Sequence, residues 1–366
     1  MKLLYYRADV RSLAFIALAH VLVALQWTGT MRYPALYTAS LGLAFVACVI
    51  NHNHQHHPTF RHASLNRWFG VLLTLAIGQP ARAIVPMHNR NHHIHNNDAN
   101  DFVRASIVRF RWNALNLIAF PFVAVAGFAR AKSGAMREWR RSQPALYRDL
   151  LVERIAFYPT LGILLALRPM DTLVYVIGPY LAGQWGILAI NLVQHDGCDH
   201  TSMYRHSRDF TGRVLNWLLF NNGYHTAHHL RPGLHWSRVP TFHQKIRSSL
   251  DPRLERQSLV AVLIEFYLWP GRRPASGPWR KSSVAPRAAW RPAHPPHGAQ
   301  SAPRGPRRRD ATTKSDLSSS FEEGNNAVGP GSPTRDSQRV GLGAGMHRRP
   351  NAAGVSPRAA KREAGS

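Results

Sequence analysis

Asn221-Asn222-Gly223-Tyr224-His225-Thr226-Ala227-His228-His229-Leu230-Arg231-Pro232-Gly233-Leu234-His235-Trp236 carries three imidazoles in the pattern H-x-x-H-H. On a helix His225 and His229 lie one turn apart and His228 lies beside them, so at least two point at one spot. Neutral imidazole is the commonest protein metal ligand, and a set of nitrogen donors suits iron, zinc, copper or nickel better than magnesium or calcium. One such box is weak by itself. It gains force because three further clusters each adjoin an apolar segment, as though several elements deliver nitrogen ligands to one membrane face.

The chain has 366 residues, 21 of them His, with 46 Lys plus Arg against 19 Asp plus Glu and two Cys. That length allows one large domain or one domain with an appendage. Cys48 falls in an apolar run and Cys198 in a His-rich one, so a disulfide between them is not expected, and neither has a partner for a cysteine-type zinc site. No cleavable signal is expected, because the first apolar run passes directly into a second. Residues 1–270 hold the apolar runs and read as the catalytic domain. Residues 271–366 are rich in Pro, Gly, Ser, Ala and Arg and read as a disordered basic tail, with 18 basic against 6 acidic residues. The tail could touch anionic membrane lipid, but the expected reading is a solvated segment with no dedicated partner, and without aromatic interleaving, a helix-turn-helix pattern or a zinc finger its charge does not indicate a nucleic-acid partner.

Val10 to Trp27 and Ala35 to Ile50 read as a helical hairpin turned at Gly29 and Pro34. Lys2, Arg7 and Arg11 precede it, which places the N-terminus and the end of the second helix in the cytoplasm. There lies Asn51-His52-Asn53-His54-Gln55-His56-His57, in which His52 and His56 share a helix face while His54 points away. The next cluster, His88 to Asp98, offers His88, His92 and His93, with His95 a weaker candidate. Between these clusters Trp68 to Val85 is too short to cross twice, since one span needs about 20 residues. With Gly78 and Pro80 in its middle it reads as re-entrant or interfacial. Ala114 to Ala129 reads as an apolar stretch that does not cross, followed by a basic loop from Arg130 to Arg148. Ile155 to Leu167, beginning upstream near Leu150, and Thr172 to Val193 form a second hairpin with its turn at Arg168 to Asp171. That hairpin ends on Asn191 and His195, again four apart. A polar pair at the end of a membrane helix is functional by default. The fold expected is an all-α, multi-pass membrane protein of two transmembrane hairpins with interfacial helices and a cytoplasmic histidine-rich cap, both termini cytoplasmic.

The set H52-x-x-x-H56, H88-x-x-x-H92-H93, N191-x-x-x-H195 and N221-N222-G223-Y224-H225-x-x-H228-H229-x-x-P232-x-x-x-W236 resembles the three histidine boxes and the extra helix histidine of the membrane fatty acid desaturase and hydroxylase superfamily. The resemblance covers roughly residues 40–245. It implies a non-haem di-iron centre of two irons with O2 as co-substrate, held by His52, His56, His88, His92, His93, His195, His225, His228 and His229. Asn191 is implied near the metals, acting through water. It implies a lipid or acyl substrate and a separate electron donor of ferredoxin, rubredoxin or cytochrome b5 type with its reductase, since no H-P-G-G haem segment occurs. The second box is H-x-x-x-H-H rather than the H-x-x-H-H of many acyl-CoA desaturases, and the first cluster has surplus His54 and His57. Desaturase, hydroxylase and ketolase subgroups therefore stay open, with desaturation of a fatty acyl chain preferred over hydroxylation of an alkyl, sphingoid or carotenoid substrate.

In this reading the imidazoles position irons, and Asp98, Asp196, Asp199 and the box asparagines are candidates to orient them. A membrane zinc hydrolase would need a carboxylate base within a box, as in H-E-x-x-H, and no Glu lies in any cluster. A metal transporter would place ligands within the spans and would not need fixed i, i+4 pairs.

Overall fold

The computed structural model describes residues 3–271, without the side chains of 130–133, 135 and 136. The reading of a disordered tail lies outside the described residues.

Helices α1 (Asp9–Trp27) and α2 (Pro34–His56) form the first hairpin. The chain turns between them at Gly29, whose φ of +89° is open to glycine and strained for other residues. Helix α2 begins on Pro34 at N1, where its missing N–H is no loss, and runs on through the first cluster, so His52 and His56 stay on one rigid helix. Helix α3 (Ala63–Ile77) ends at Gly78 in the left-handed conformation, and an 80° bend separates it from Ala81–His95. The latter comprises a 3₁₀ turn Ala81–Ile84, a π-turn His88–His92 and a short helix α4 (His93–His95). The bend at Gly78 and Pro80 fits the re-entrant reading.

Helix α5 (Asn113–Ser142) corrects the sequence reading: the apolar stretch and most of the basic segment after it form one helix, and the basic loop does not exist as a loop. Arg, Lys, Ala, Met and Glu are good helix formers, and charge by itself does not end a helix. The helix stops at Gln143 because the residue before a proline is pushed out of the helical region. Pro144 then opens α6 (Pro144–Leu167), which begins earlier than expected. After α6, α7 (Pro169–Thr172), a π-turn Leu173–Ile177 and α8 (Gly178–His195) run on as one long helix.

Among the described residues, four helices are long and apolar enough to cross a membrane: α1, α2, α6 and Pro169–His195. The apolar part of α5, Asn113–Ala129, is shorter. The two hairpin turns meet at one end, where Trp27 Nε1 donates to Thr172 Oγ1 at 2.8 Å and Arg32 pairs with Asp171 at 2.7 Å. At mid-length α8 packs against α2 through small residues. A Cβ at Gly183 would lie 2.7 Å from the Ala44 carbonyl, and one at Gly186 would lie 3.0 Å from the Phe45 ring. Between apolar helices in lipid, such close backbone approach supplies the association that hydrophobic burial supplies in water.

A buried ion-pair group ties α3 to α6: Arg82 pairs with Glu153 and lies 3.2 Å from Asp149, which also holds Arg67 at 2.6 Å. Beyond α8 the cap is made of short pieces: α9 (Arg213–Leu218), α10 (His225–Leu230), α11 (Val239–Ile246) and α12 (Leu259–Leu263). A two-residue parallel pairing, β1 (Asp209–Phe210) with β2 (Glu255–Arg256), brings the last segment back beneath α10. Asn113 and Trp112 at the head of α5 then donate to the carbonyls of Phe266 and Leu268 at 3.0 and 2.9 Å.

Candidate metal centre

Nine histidines from four segments, α2, Ala81–His95, α8 and α10, meet at one end of the helices, and they sort into two adjoining groups. His52, His56, His88 and His228 form one, and His92, His195, His225 and His229 the other, with the candidate ligand atoms in each within 4.8 Å of one another. His93 sits at their junction: its Nε2 is 3.0 Å from His88 Nε2 and 3.2 Å from His228 Nε2, and its ring is 4.4 Å from that of His229.

The first box, His52 and His56, lies wholly in one group, whereas the second and third boxes are divided between the two. The second box divides because its backbone is a π-turn, which sets His88 opposite His93 rather than above His92. The third divides because His228 lies about 100° around α10 from His229 and about 60° from His225, which turns it away from the face those two share. His225 and His229 lie one turn apart with Nε2 atoms separated by 3.1 Å, whereas His228 Nε2 is 3.0 Å from His52 Nε2.

These separations fit nitrogen ligands around single ions. Bonds of ~2.1 Å place neighbouring nitrogens ~3.0 Å apart at right angles and ~3.4 Å apart at tetrahedral angles. The tautomers agree. His195 Nδ1 faces the carbonyl of His206 at 3.0 Å, and His92 Nδ1 faces the Asp101 carboxylate at 2.7 Å, so both Nδ1 atoms carry the proton and both Nε2 atoms keep a lone pair. His92 Nε2 is buried and has no hydrogen-bond partner in the protein. His225, His228 and His229 are held well below the ordinary imidazole pKa, first by burial and then by the imidazoles around them. They are neutral at pH 7 and able to donate to a metal.

The surrounding residues fix each element. Asp209 Oδ1 accepts the Thr226 N–H at 2.7 Å and so satisfies one of the open donors at the start of α10. The turn before α10 is tight, with Phe220 and Asn221 in the left-handed region at φ 50° and 62°. Gly223 is required there because a Cβ would come 2.4 Å from the Phe210 carbonyl oxygen. Arg208 caps the end of α8, donating to the carbonyls of Val193 and Asp196, where a cation also suits the helix dipole. Asp9, at the start of α1, accepts from Trp236 Nε1 at 2.9 Å and lies 3.0 Å from His235 Nε2, which anchors the loop after α10.

Several expected orienters are placed elsewhere. Asp196 holds Arg109 and Tyr267, Asp199 holds Thr201, and Asp98 accepts the Asn100 N–H at 2.6 Å and lies 3.4 Å from His95. The carboxylate that touches the centre is Asp101, nine residues past His92. The box asparagine Asn89 lies 3.4 Å from His56 Nδ1. Asn191 turns its amide nitrogen to the Val103 carbonyl at 3.3 Å. His54 bonds Thr59 at 3.0 Å and ties off the end of α2. The sequence reading did not single out His206, which is 3% exposed and 5.2 Å from the His229 ring. Burial, followed by repulsion from His92, lowers its pKa to about 4.

The fold and the site define a helical membrane protein whose transmembrane hairpins carry a histidine-built, metal-compatible cap. The fatty acid desaturase family matches residues 12–258, and the chain belongs to that family. No curated protein matches the chain. Membership makes it an oxidoreductase of the desaturase type with a lipid or acyl substrate in a membrane setting.

Proposed function

We propose that the protein introduces a double bond into a fatty acyl chain at a di-iron centre, with O2 as co-substrate and two electrons from a separate ferredoxin, rubredoxin or cytochrome b5 type carrier and its reductase. The observation that carries this reading is the pair of adjoining four-histidine groups, one for each iron, with His93 between them. The bound metals would supply an oxidant able to take hydrogen from an unactivated methylene.

The chain's own residues position and shield. His52, His56, His88 and His228 would hold one iron, and His92, His195, His225 and His229 the other, with His93 completing the shell. Asn191, one turn before His195, would act through water. Asp101 holds His92 in the tautomer that presents Nε2 to the group. Carboxylates hold the irons in soluble di-iron bundles, whereas imidazoles serve here, so the centre carries more positive charge. The basic residues near Arg137, Arg140 and Arg148 support a cytoplasmic cap.

Metal and product analysis test the reading together. Two irons per chain and a dehydrogenated acyl product with the purified carrier are expected. A hydroxylated product would move the protein to the runner-up activity, and zinc or copper at variable ratio would overturn the oxidase reading.

A further inference from the structure

A narrow recess of about 290 Å³, its open mouth included, leads to the first histidine group between the end of α2 and the loops around α10. His56, His228 and Asn222 line it deeply, and the half-buried Asn53, Pro232 and Leu234 form its rim. Two polar atoms in this wall are buried with no partner in the protein: Oδ1 of Asn222, a residue 6% exposed, and Nδ2 of Asn53. A buried amide atom left unpaired costs desolvation free energy that a hydrogen bond normally recovers.

The turn itself does not need the Asn222 amide. Its backbone N–H donates to Leu219 at 2.9 Å and its carbonyl accepts from Gln194 Nε2 at 3.0 Å, bonds that an apolar side chain would leave in place. One free acceptor and one free donor suit a molecule that can both donate and accept, and the recess admits a water-sized molecule but not a ring.

We propose that this recess is the aqueous port of the first four-histidine group, with Asn53 and Asn222 as the pair that holds its water. The proposal rests on the oxidase reading above. Forming –CH=CH– from –CH2–CH2– removes two hydrogen atoms, that is two protons and two electrons, from the acyl chain, and the carrier adds two more electrons. With two protons from solvent, one O2 becomes two waters. Two waters must therefore leave, and two protons arrive, at a centre where every histidine except His88 is at most 7% exposed. The recess, which mixes His56, His228, Asn53, Asn221 and Asn222 with Phe220, Trp236 and other apolar residues, offers polar groups for this traffic beside the first histidine group.

The test is Asn222→Leu in the full-length, metal-loaded protein, with sodium azide as the probe and stopped-flow absorbance as the readout. Azide binding should slow by at least about tenfold at unchanged metal content and an unchanged or higher melting temperature, and Asn222→Ser should recover most of the rate. Binding at the wild-type rate in a fully loaded Asn222→Leu protein overturns the proposal. If Asn222→Leu loses its metal, Asn53→Leu is measured in the same way, and loss of metal in both overturns it too, because the amides are then structural. Azide binding reads access and not product, so the port can stand in a protein that makes no double bond, and the desaturase reading can stand with an unchanged azide rate.

Discussion

His92 Nδ1 and Asp101 Oδ2 are 2.7 Å apart, and neither side chain has exposed surface. Burial alone would raise the Asp101 pKa. Its pairing with His92, helped by the amides of Val103 and Asn97, outweighs it and holds the carboxyl at about 2. Asp101 is thus ionised at every working pH and fixes the tautomer of His92. Replacing it with Asn should weaken metal binding at the second group by about 10- to 100-fold while the first group keeps its ion. Metal titration of the purified variant, read as two separable sites, checks this.

His228 and His229 are neighbours in sequence but belong to different groups. His228→Ala should therefore lose the ion held with His52, His56 and His88, and His229→Ala the one held with His92, His195 and His225. Each variant should insert normally, retain about one metal per chain where the parent holds two, and form no product. Loss of both metals from either variant would mean that the two groups behave as one site.

Gly183 lies against the Ala44 backbone and Gly162 faces open space on α6, so the same substitution should have opposite outcomes. Gly183→Ala puts a Cβ 2.7 Å from the Ala44 carbonyl and should destabilise by about 1 to 3 kcal/mol, as overpacking does. Gly162→Ala should be neutral or stabilising by about 0.5 to 1 kcal/mol, since it removes backbone entropy from the unfolded chain. Thermal unfolding in detergent distinguishes the two.

Burial raises the Asp209 carboxyl to about 7, against the opposing hydrogen bond from the Thr226 N–H. Since the folded pKa exceeds the unfolded value, its contribution to stability is complete below about 4 and is lost as pH rises to about 7. Asp209→Asn keeps an acceptor for Thr226 but cannot ionise. Its melting temperature should consequently fall less than that of the parent between pH 4 and pH 7. Parallel slopes would show that Asp209 is not protonated in the folded protein.

The hairpins were readable because membrane spans are local: a run of apolar residues of the right length, with Gly29 or Pro169 at its turn, needs no partner to be recognised. Charge was a poorer guide. It suggested a loop after Ala129 where α5 continues to Ser142, because helix propensity rather than polarity decides whether the chain stays helical.

The sequence by itself determined the membrane hairpins, the clustering of His52, His56, His88, His92, His93, His195, His225, His228 and His229, and the family they mark, since each is written in spacing along one segment. Only the tertiary structure decided how those histidines divide. A π-turn within one box and the rotation about α10 in another send adjacent residues to different groups, and spacing cannot show which distant helix will lie opposite. The same limit hid Asp101 behind Asp98 and gave no sign of the roles of Asp9 and Arg208. Their roles arise from contacts with Trp236 and with the end of α8, across separations in sequence that only packing closes.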